Sequence, residues 1–140
     1  MSSTTGDAAA TPAAQGYRMP PEWALHQATW FSWPHNRDTF PGVLEKAELA
    51  LAGAVAALTE GEVVHINVLN ERHERHVAGL LAGRANLQRI RLHRNPSNDA
   101  WCRDHGAIFV TRGGAMPSLL ALDFGFQVIQ GEGNIHRHII

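Results

Sequence analysis

The residues best suited to chemistry lie in one short loop, where Asp99 and Asp104 flank Trp101 and Arg103. Two carboxylates can accept hydrogen bonds from a cation, and an indole ring can offer it a π face. An acidic pair at this spacing, taken alone, is more often a cap or a solvated pair. The spacing therefore leaves two interpretations open, a cation-binding loop and a loop that only orders its own backbone.

Two pairs of histidines raise the question of a metal site. His73 and His76 lie three residues apart among charged neighbours, which favours a solvated helix face over a pair of ligands. His136 and His138 lie in the last residues of the sequence, without a third ligand nearby. We therefore predict neither a metal ion nor another cofactor.

Cys102 is the single cysteine among 140 residues, so an intramolecular disulfide is excluded. Such cysteine usage fits a reducing compartment. If the loop is extended, the Cys102 side chain points away from those of Trp101 and Arg103. We predict that Cys102 is a small buried hydrophobic residue and not a nucleophile.

The composition indicates an ordinary globular chain, with a hydrophobic share of 44% and a net charge of −1. That charge gives no electrostatic reason to expect a nucleic acid or an anionic membrane as partner. No segment approaches the ~20 apolar residues that span a bilayer. Residues 1–17 lack the basic start of a secretion signal and are predicted to be a disordered leader. We therefore predict a cytoplasmic location.

The elements that must position the loop alternate between strands and helices. Amphipathic stripes predict helices at 42–59 and from Asn70, as N-cap, to Gly83. Two segments around Arg112-Gly113-Gly114 predict a hairpin. The order β-α-β-α-β-loop-β-β predicts an α/β protein with helices packed on sheets. The predicted strands are residues 28–33, 63–69, 87–93, 107–111 and 118–124.

Trp23, Trp30 and Trp33 are expected to pack in the core, since aromatic residues in strands normally do so. Trp23 lies at the entry of the chain, in a stiff segment that follows two prolines. Together with Glu22, it is the better candidate for lining a substrate pocket.

Residues 19–36 and 98–110 resemble two motifs of the agmatine deiminase family, its opening and its Asp-x-Trp-x-Arg-Asp signature. This family is related to bacterial peptidylarginine deiminases of the pentein superfamily. Residues 122–126 are similar to the next family segment, so the resemblance covers residues 18–126. It implies an α/β propeller, of which the chain holds about one ββαβ-type blade and the start of a second. Residues 127–140 are then a divergent tail.

The resemblance implies a site that binds a small, agmatine-like guanidinium compound. Asp104 would accept hydrogen bonds from the planar cation, with Asp99 close by in the same loop. Trp101 would supply an aromatic face or fill the wall, and Arg103 would orient the loop through an acidic partner. Agmatine and water would give N-carbamoylputrescine and ammonia, by attack of a cysteine thiolate with a histidine as general acid. A peptidylarginine substrate is the nearest alternative.

The nucleophile of the family is not among the matched residues. Residues 130–136 are similar to the last active-site motif, which would place Arg137 at the position of the cysteine, or to a glycine-rich loop from the middle of the family. We therefore expect a truncated or internally deleted chain that is inactive alone. Its exposed blade faces would favour oligomerisation or aggregation. A non-catalytic interaction module and a gene remnant are the alternatives.

Overall fold

The structure, a computed structural model, describes residues 11–25, 27–102, 106–114 and 118–122. It divides into two compact units. The central unit comprises residues 25–104, and the terminal unit comprises residues 1–24 and 105–140. Strands and helices occur together, so the predicted α/β class is confirmed. No helix among the described residues is long and apolar enough to cross a membrane.

The central unit contains a parallel sheet of three strands, β1 (Ala28–Ser32), β2 (Val63–Val68) and β3 (Ile90–Arg94), with β2 in the middle. In the register, Phe31 lies opposite Ile66, which in turn lies opposite Leu92. Because parallel strands run in one direction, their carboxyl ends meet at the same edge. The three strands confirm the predicted order.

The crossovers between these strands are helices, as parallel pairing requires. They are α1 (Leu44–Leu58) and α2 (Glu71–Leu81), within the predicted ranges. The predicted N-cap is confirmed, since Oδ1 of Asn70 accepts the backbone N–H of His73 at 3.0 Å. Gly83 follows α2 with a φ of +70°, a conformation that glycine adopts readily.

The predicted start of β3 at residue 87 was wrong. A short 3₁₀ helix occupies Leu87–Arg89, and β3 begins at Ile90. The cause is local, because the Asn86 side chain accepts the N–H of Gln88 at 3.1 Å and turns the backbone before the strand.

The core of the central unit lies between the helices and one face of the sheet. Trp33 is buried there, as predicted, but Trp30 is 41% exposed and lies on the opposite face. Alternation along β1 explains this, because only Phe31 of its two aromatic residues can face the helices. Trp23 is 88% exposed, so its predicted core position is also wrong. The buried cluster consists of Trp33, Ala52, Val55, Val64, Ile66, Val68, Val77 and Leu81.

The described part of the terminal unit is built on an antiparallel pair, β4 (Ile108–Arg112) and β5 (Ser118–Leu122). This confirms the predicted pairing, while residues 115–117 lie outside the described residues. Arg18 and Thr111 exchange two backbone hydrogen bonds of 2.8 Å. Tyr17 also packs here, with the Arg112 guanidinium 4.9 Å from its ring centroid. Of the predicted leader, residues 11–17 form a hydrogen-bonded turn, and residues 1–10 lie outside the described residues.

Candidate functional site

Polar side chains gather where the three parallel strands end, which is the edge where open α/β sheets bind ligands. Asn67, on β2, donates from Nδ2 to Oγ of Ser32 at 3.3 Å. Its Oδ1 accepts from Nδ2 of Asn95 at 3.0 Å. Ser32 lies in β1 and Asn95 directly follows β3. These hydrogen bonds therefore hold the carboxyl ends of all three strands together.

Cys102 belongs to the same network. Its thiol donates to Oγ of Ser32 at 3.0 Å, and its side chain is half-buried. The extended geometry considered for this segment was wrong, because the Cys102 N–H bonds the carbonyl of Ala100 at 2.8 Å and forms a tight turn. Burial raises the pKa of the Cys102 thiol, and the Ser32 hydrogen bond only partly opposes this. A thiol held in its protonated form is a poor nucleophile.

Asp99 is held by hydrogen bonds from its own loop and from Thr39, in the segment between β1 and α1. Oδ2 accepts a hydrogen bond of 2.7 Å from the hydroxyl of Thr39, and Oδ1 accepts the N–H of Ala100 at 2.7 Å. The Ser97 hydroxyl donates to the Asp99 carbonyl at 3.2 Å. Each carboxylate oxygen has two lone pairs, so further acceptor capacity remains. These contacts support the interpretation of Asp99 as a residue that orders the loop.

Trp101 lies beside this carboxylate in sequence and is 55% exposed. Its ring stacks with that of Phe40 at a centroid separation of 6.5 Å and an interplanar angle of 16°. That geometry is within the range of offset stacking. The indole thus has one aromatic neighbour and a large exposed area, as a cation-binding face requires.

The structure does not test the remaining predicted site residues. Arg103 and Asp104 lie outside the described residues, so their roles stay predictions. Glu22 and Trp23 belong to the terminal unit, in a turn where the Ala24 N–H bonds the carbonyl of Pro21 at 2.9 Å. Their assignment to a pocket wall also stays a prediction.

The sequence did not predict a pair of histidines on the face of the sheet opposite the helices. Nδ1 of His65 lies 2.7 Å from Nε2 of His93, and the Trp30 indole stacks over both rings at 4.4 and 4.8 Å. Burial, followed by the nearby His93 and Arg91, lowers the pKa of His65. Alternation within each strand was the available signal, since it predicts which residues of one strand share a face. It does not predict that His65 and His93 are neighbours, because this depends on the pairing register of the strands.

A buried carboxylate was missed as well. Glu48 is 6% exposed, and its Oε1 accepts from Nε1 of Trp33 at 2.9 Å and from Nε2 of His76 at 2.7 Å. The His76 side chain is nevertheless 50% exposed, as the predicted solvated face requires, whereas His73 is half-buried. Nδ1 of His73 accepts the N–H of Leu69 at 3.1 Å. No group of three or more potential ligands among the described residues is arranged to hold a metal ion.

The family profile described as Porphyromonas-type peptidyl-arginine deiminase matches residues 18–137. The agmatine deiminase of Stutzerimonas stutzeri (strain A1501) is 38% identical over 102 residues, which are 71% of this chain and 26% of that protein. The agmatine deiminase of Pseudomonas aeruginosa (strain LESB58) is 33% identical over 127 residues, or 90% of this chain and 33% of that protein.

A solved structure shares the fold. The C. jejuni agmatine deiminase superposes with a TM-score of 0.65 and 23% identity, over 81% of this chain and 32% of that chain. The chain spans about a quarter to a third of the length of the curated relatives named above.

Proposed function

The chain belongs to the Porphyromonas-type peptidyl-arginine deiminase family, and we propose that it supplies part of the substrate site of an enzyme that hydrolyses the guanidinium group of agmatine. The products would be N-carbamoylputrescine and ammonia, in polyamine biosynthesis. The agmatine deiminases of Stutzerimonas and Pseudomonas, to which the chain is similar, support this choice of substrate. A small polar substrate and a single cysteine support the cytoplasm as its location.

The observation that carries the proposal is the ordered loop at the carboxyl edge of the sheet. Its described part contains the exposed indole of Trp101 and the fixed carboxylate of Asp99, two positions apart in the sequence. Asp104, the last residue of the same signature, would bind the guanidinium fork in a bidentate manner. Glu22 and Trp23 would line the pocket. The propeller fold implied by the resemblance would bring these groups to its central axis.

We also propose that the 140-residue chain alone does not turn over agmatine. The family mechanism needs a cysteine thiolate, and Cys102 is the single cysteine. Burial raises the pKa of the Cys102 thiol, and the hydrogen bond to Ser32 opposes this only in part, so the thiol stays protonated near neutral pH. Cys102 is therefore a structural residue of the strand-end network, and substrate binding is the property that this chain can display.

The test is a titration of ¹⁵N-labelled protein with agmatine, followed by NMR at the tryptophan indole signals. Putrescine is the matched control ligand because it has the same carbon chain and an ammonium in place of the guanidinium. We expect the Trp101 signal to shift with agmatine alone, and the isosteric Asp104→Asn substitution to weaken binding about tenfold or more. Equal shifts with putrescine, or none with agmatine, would overturn guanidinium binding. Ammonia release that survives Cys102→Ala would overturn the proposed inactivity of the chain. Ammonia release that is lost in Cys102→Ala would overturn the structural role of that residue.

A peptidylarginine substrate is the second candidate, and it is favoured by the match to the Porphyromonas-type peptidyl-arginine deiminase family. Both substrates present the same guanidinium, so they differ only in what surrounds the aliphatic chain. A short peptide with an internal arginine, used as a competitor against agmatine, separates the two. Tighter binding of the peptide than of agmatine would favour this candidate.

A further inference from the structure

Two adjacent residues, Thr39 and Phe40, contact the loop that contains Asp99 and Trp101, although they lie far from it in the sequence. The hydroxyl of Thr39 donates to Oδ2 of Asp99 at 2.7 Å, across 60 positions of the chain. The next residue, Phe40, stacks on Trp101. We propose that Thr39 and Phe40 are positioning residues, which hold this carboxylate and this indole in the arrangement that binds a guanidinium ion. The proposal rests on the proposed function.

The segment that bears Thr39 and Phe40 is itself held in place. It joins β1 to α1, and the N–H of Phe40 bonds the carbonyl of Asn36 at 3.1 Å. Oδ1 of Asn36 accepts the N–H of Asp38 at 2.9 Å, and the N–H of Val43 bonds the carbonyl of Phe40 at 3.2 Å. These bonds tie the segment to the start of α1. Contacts from this segment therefore hold the loop in a fixed position relative to α1.

The contact with Asp99 has the properties of a constraint. A hydroxyl that donates to a carboxylate makes a charge-assisted bond, which is stronger than a neutral one. Both partners are half-buried, so water competes less for the carboxylate. The N–H of Ala100 holds the other oxygen. With one donor on each oxygen, the carboxyl plane of Asp99 and the turn that leads to Trp101 are fixed together.

Binding gains from such a constraint because a mobile loop must lose conformational freedom when a ligand binds. Phe40 also reduces the freedom that is lost on binding, since stacking favours one orientation of the Trp101 ring. The guanidinium would then meet an indole that is already oriented. Loss of either contact should weaken agmatine binding without removing a group that touches the ligand.

The Thr39→Val substitution tests the first contact, because it removes the hydroxyl and keeps the shape of the side chain. The readouts in the absence of ligand are the hydrogen-exchange rate of the Ala100 amide and the position of the Trp101 indole signal. We expect faster exchange, a shifted signal and an agmatine affinity about three- to tenfold weaker. Thr39→Ser should restore all three values, because it returns the hydroxyl.

Thr29→Val is the matched control within the same unit. Thr29 also donates from its hydroxyl to a carboxylate, Oε1 of Glu62, at 2.9 Å. This substitution removes the same kind of bond away from the loop, so it should change neither the Ala100 exchange nor the agmatine affinity. Phe40→Leu tests the second contact and should shift the Trp101 signal.

The two proposals fail in different ways. Wild-type protein that does not bind agmatine overturns the proposed function, and with it any role of Thr39 in guanidinium binding. Unchanged Ala100 exchange in Thr39→Val, together with an unmoved Trp101 signal in Phe40→Leu, overturns the positioning role even if agmatine binds. Equal effects of Thr29→Val and Thr39→Val would mean that general destabilisation is the cause, and would overturn it too.

Discussion

Glu48 and His76 meet between the two helices of the central unit, where Oε1 of the glutamate lies 2.7 Å from Nε2 of the histidine. The same oxygen accepts the indole N–H of Trp33. Glu48 is 6% exposed and Trp33 is 1% exposed, so their hydrogen bond is buried, whereas the His76 side chain is 50% exposed. Buried polar groups stabilise a fold only when they are paired, and both donors depend on this one carboxyl group.

The first prediction follows from this dependence. Glu48→Ala should lower the free energy of unfolding by about 2–4 kcal/mol, because it leaves the Trp33 N–H without its acceptor and opens a cavity. Glu48→Gln keeps an acceptor oxygen and should cost less. Urea unfolding, followed by tryptophan fluorescence, measures both. Glu45→Ala is the control, since Glu45 pairs with Arg37 at the surface; a similar loss there would contradict the prediction.

The second prediction concerns pH. Burial lowers the pKa of His73, the nearby His35 and His76 lower it further, and Glu48 opposes the shift. The folded chain therefore binds this proton less readily than the unfolded chain does. Stability is then fully present above the ordinary histidine value of about 6.5. It is lost as the pH falls through the lower pKa of the folded state.

The measurement is the urea midpoint of wild type and of His73→Gln between pH 7.5 and 5. We expect the wild type to lose more stability on acidification than the variant, because glutamine does not titrate. His65 also has a lowered pKa and remains in both proteins, so part of the pH dependence should persist. Parallel curves for the two proteins would show that the pKa of His73 is the same in the folded and the unfolded chain.

The sequence predicted the features whose causes are local. The alternation of Val64, Ile66 and Val68 placed a strand, and Asn70 marked the start of α2, because both signals depend on near neighbours. The position of Trp30 was missed because it depends on which face of β1 the helices cover.

For the candidate site, the contact between Thr39 and Asp99 spans 60 positions. No periodicity within a short window reports such a contact. Glu48 is instructive in the same way. It lies on the buried stripe of α1 between Leu44 and Ala52, where a charged residue is unusual, and the sequence does not reveal that Trp33 and His76 supply its partners.

The third prediction concerns the reactivity of Cys102. Iodoacetamide at pH 7.5 should alkylate it more slowly than it alkylates a free cysteine, because burial raises the pKa of the thiol and thereby reduces the thiolate fraction. Unfolding in urea should restore the rate of a free thiol. Mass spectrometry of timed aliquots measures both rates. Alkylation of the folded protein at the rate of the unfolded one would contradict the partly buried position.

The last prediction concerns the start of α2, where two bonds run in opposite directions. Oδ1 of Asn70 accepts the N–H of His73, and Nδ1 of His73 accepts the N–H of Leu69. This reciprocity resembles a capping box, with histidine in the place of glutamate. Asn70→Ala should lower the free energy of unfolding by about 1 kcal/mol.

Because each bond orients the residue that makes the other, Asn70→Ala and His73→Gln should not be additive. In a double-mutant cycle at pH 7.5 we expect a coupling of about 0.5 kcal/mol or more. Asn86→Ala is the matched control, since the Asn86 side chain caps the 3₁₀ helix through the N–H of Gln88. Its effect should add to that of His73→Gln. The coupling should also fade once the pH falls below the lowered pKa of His73, as protonated His73 can no longer accept the N–H of Leu69. A coupling that is zero at pH 7.5 would show that the two bonds form independently.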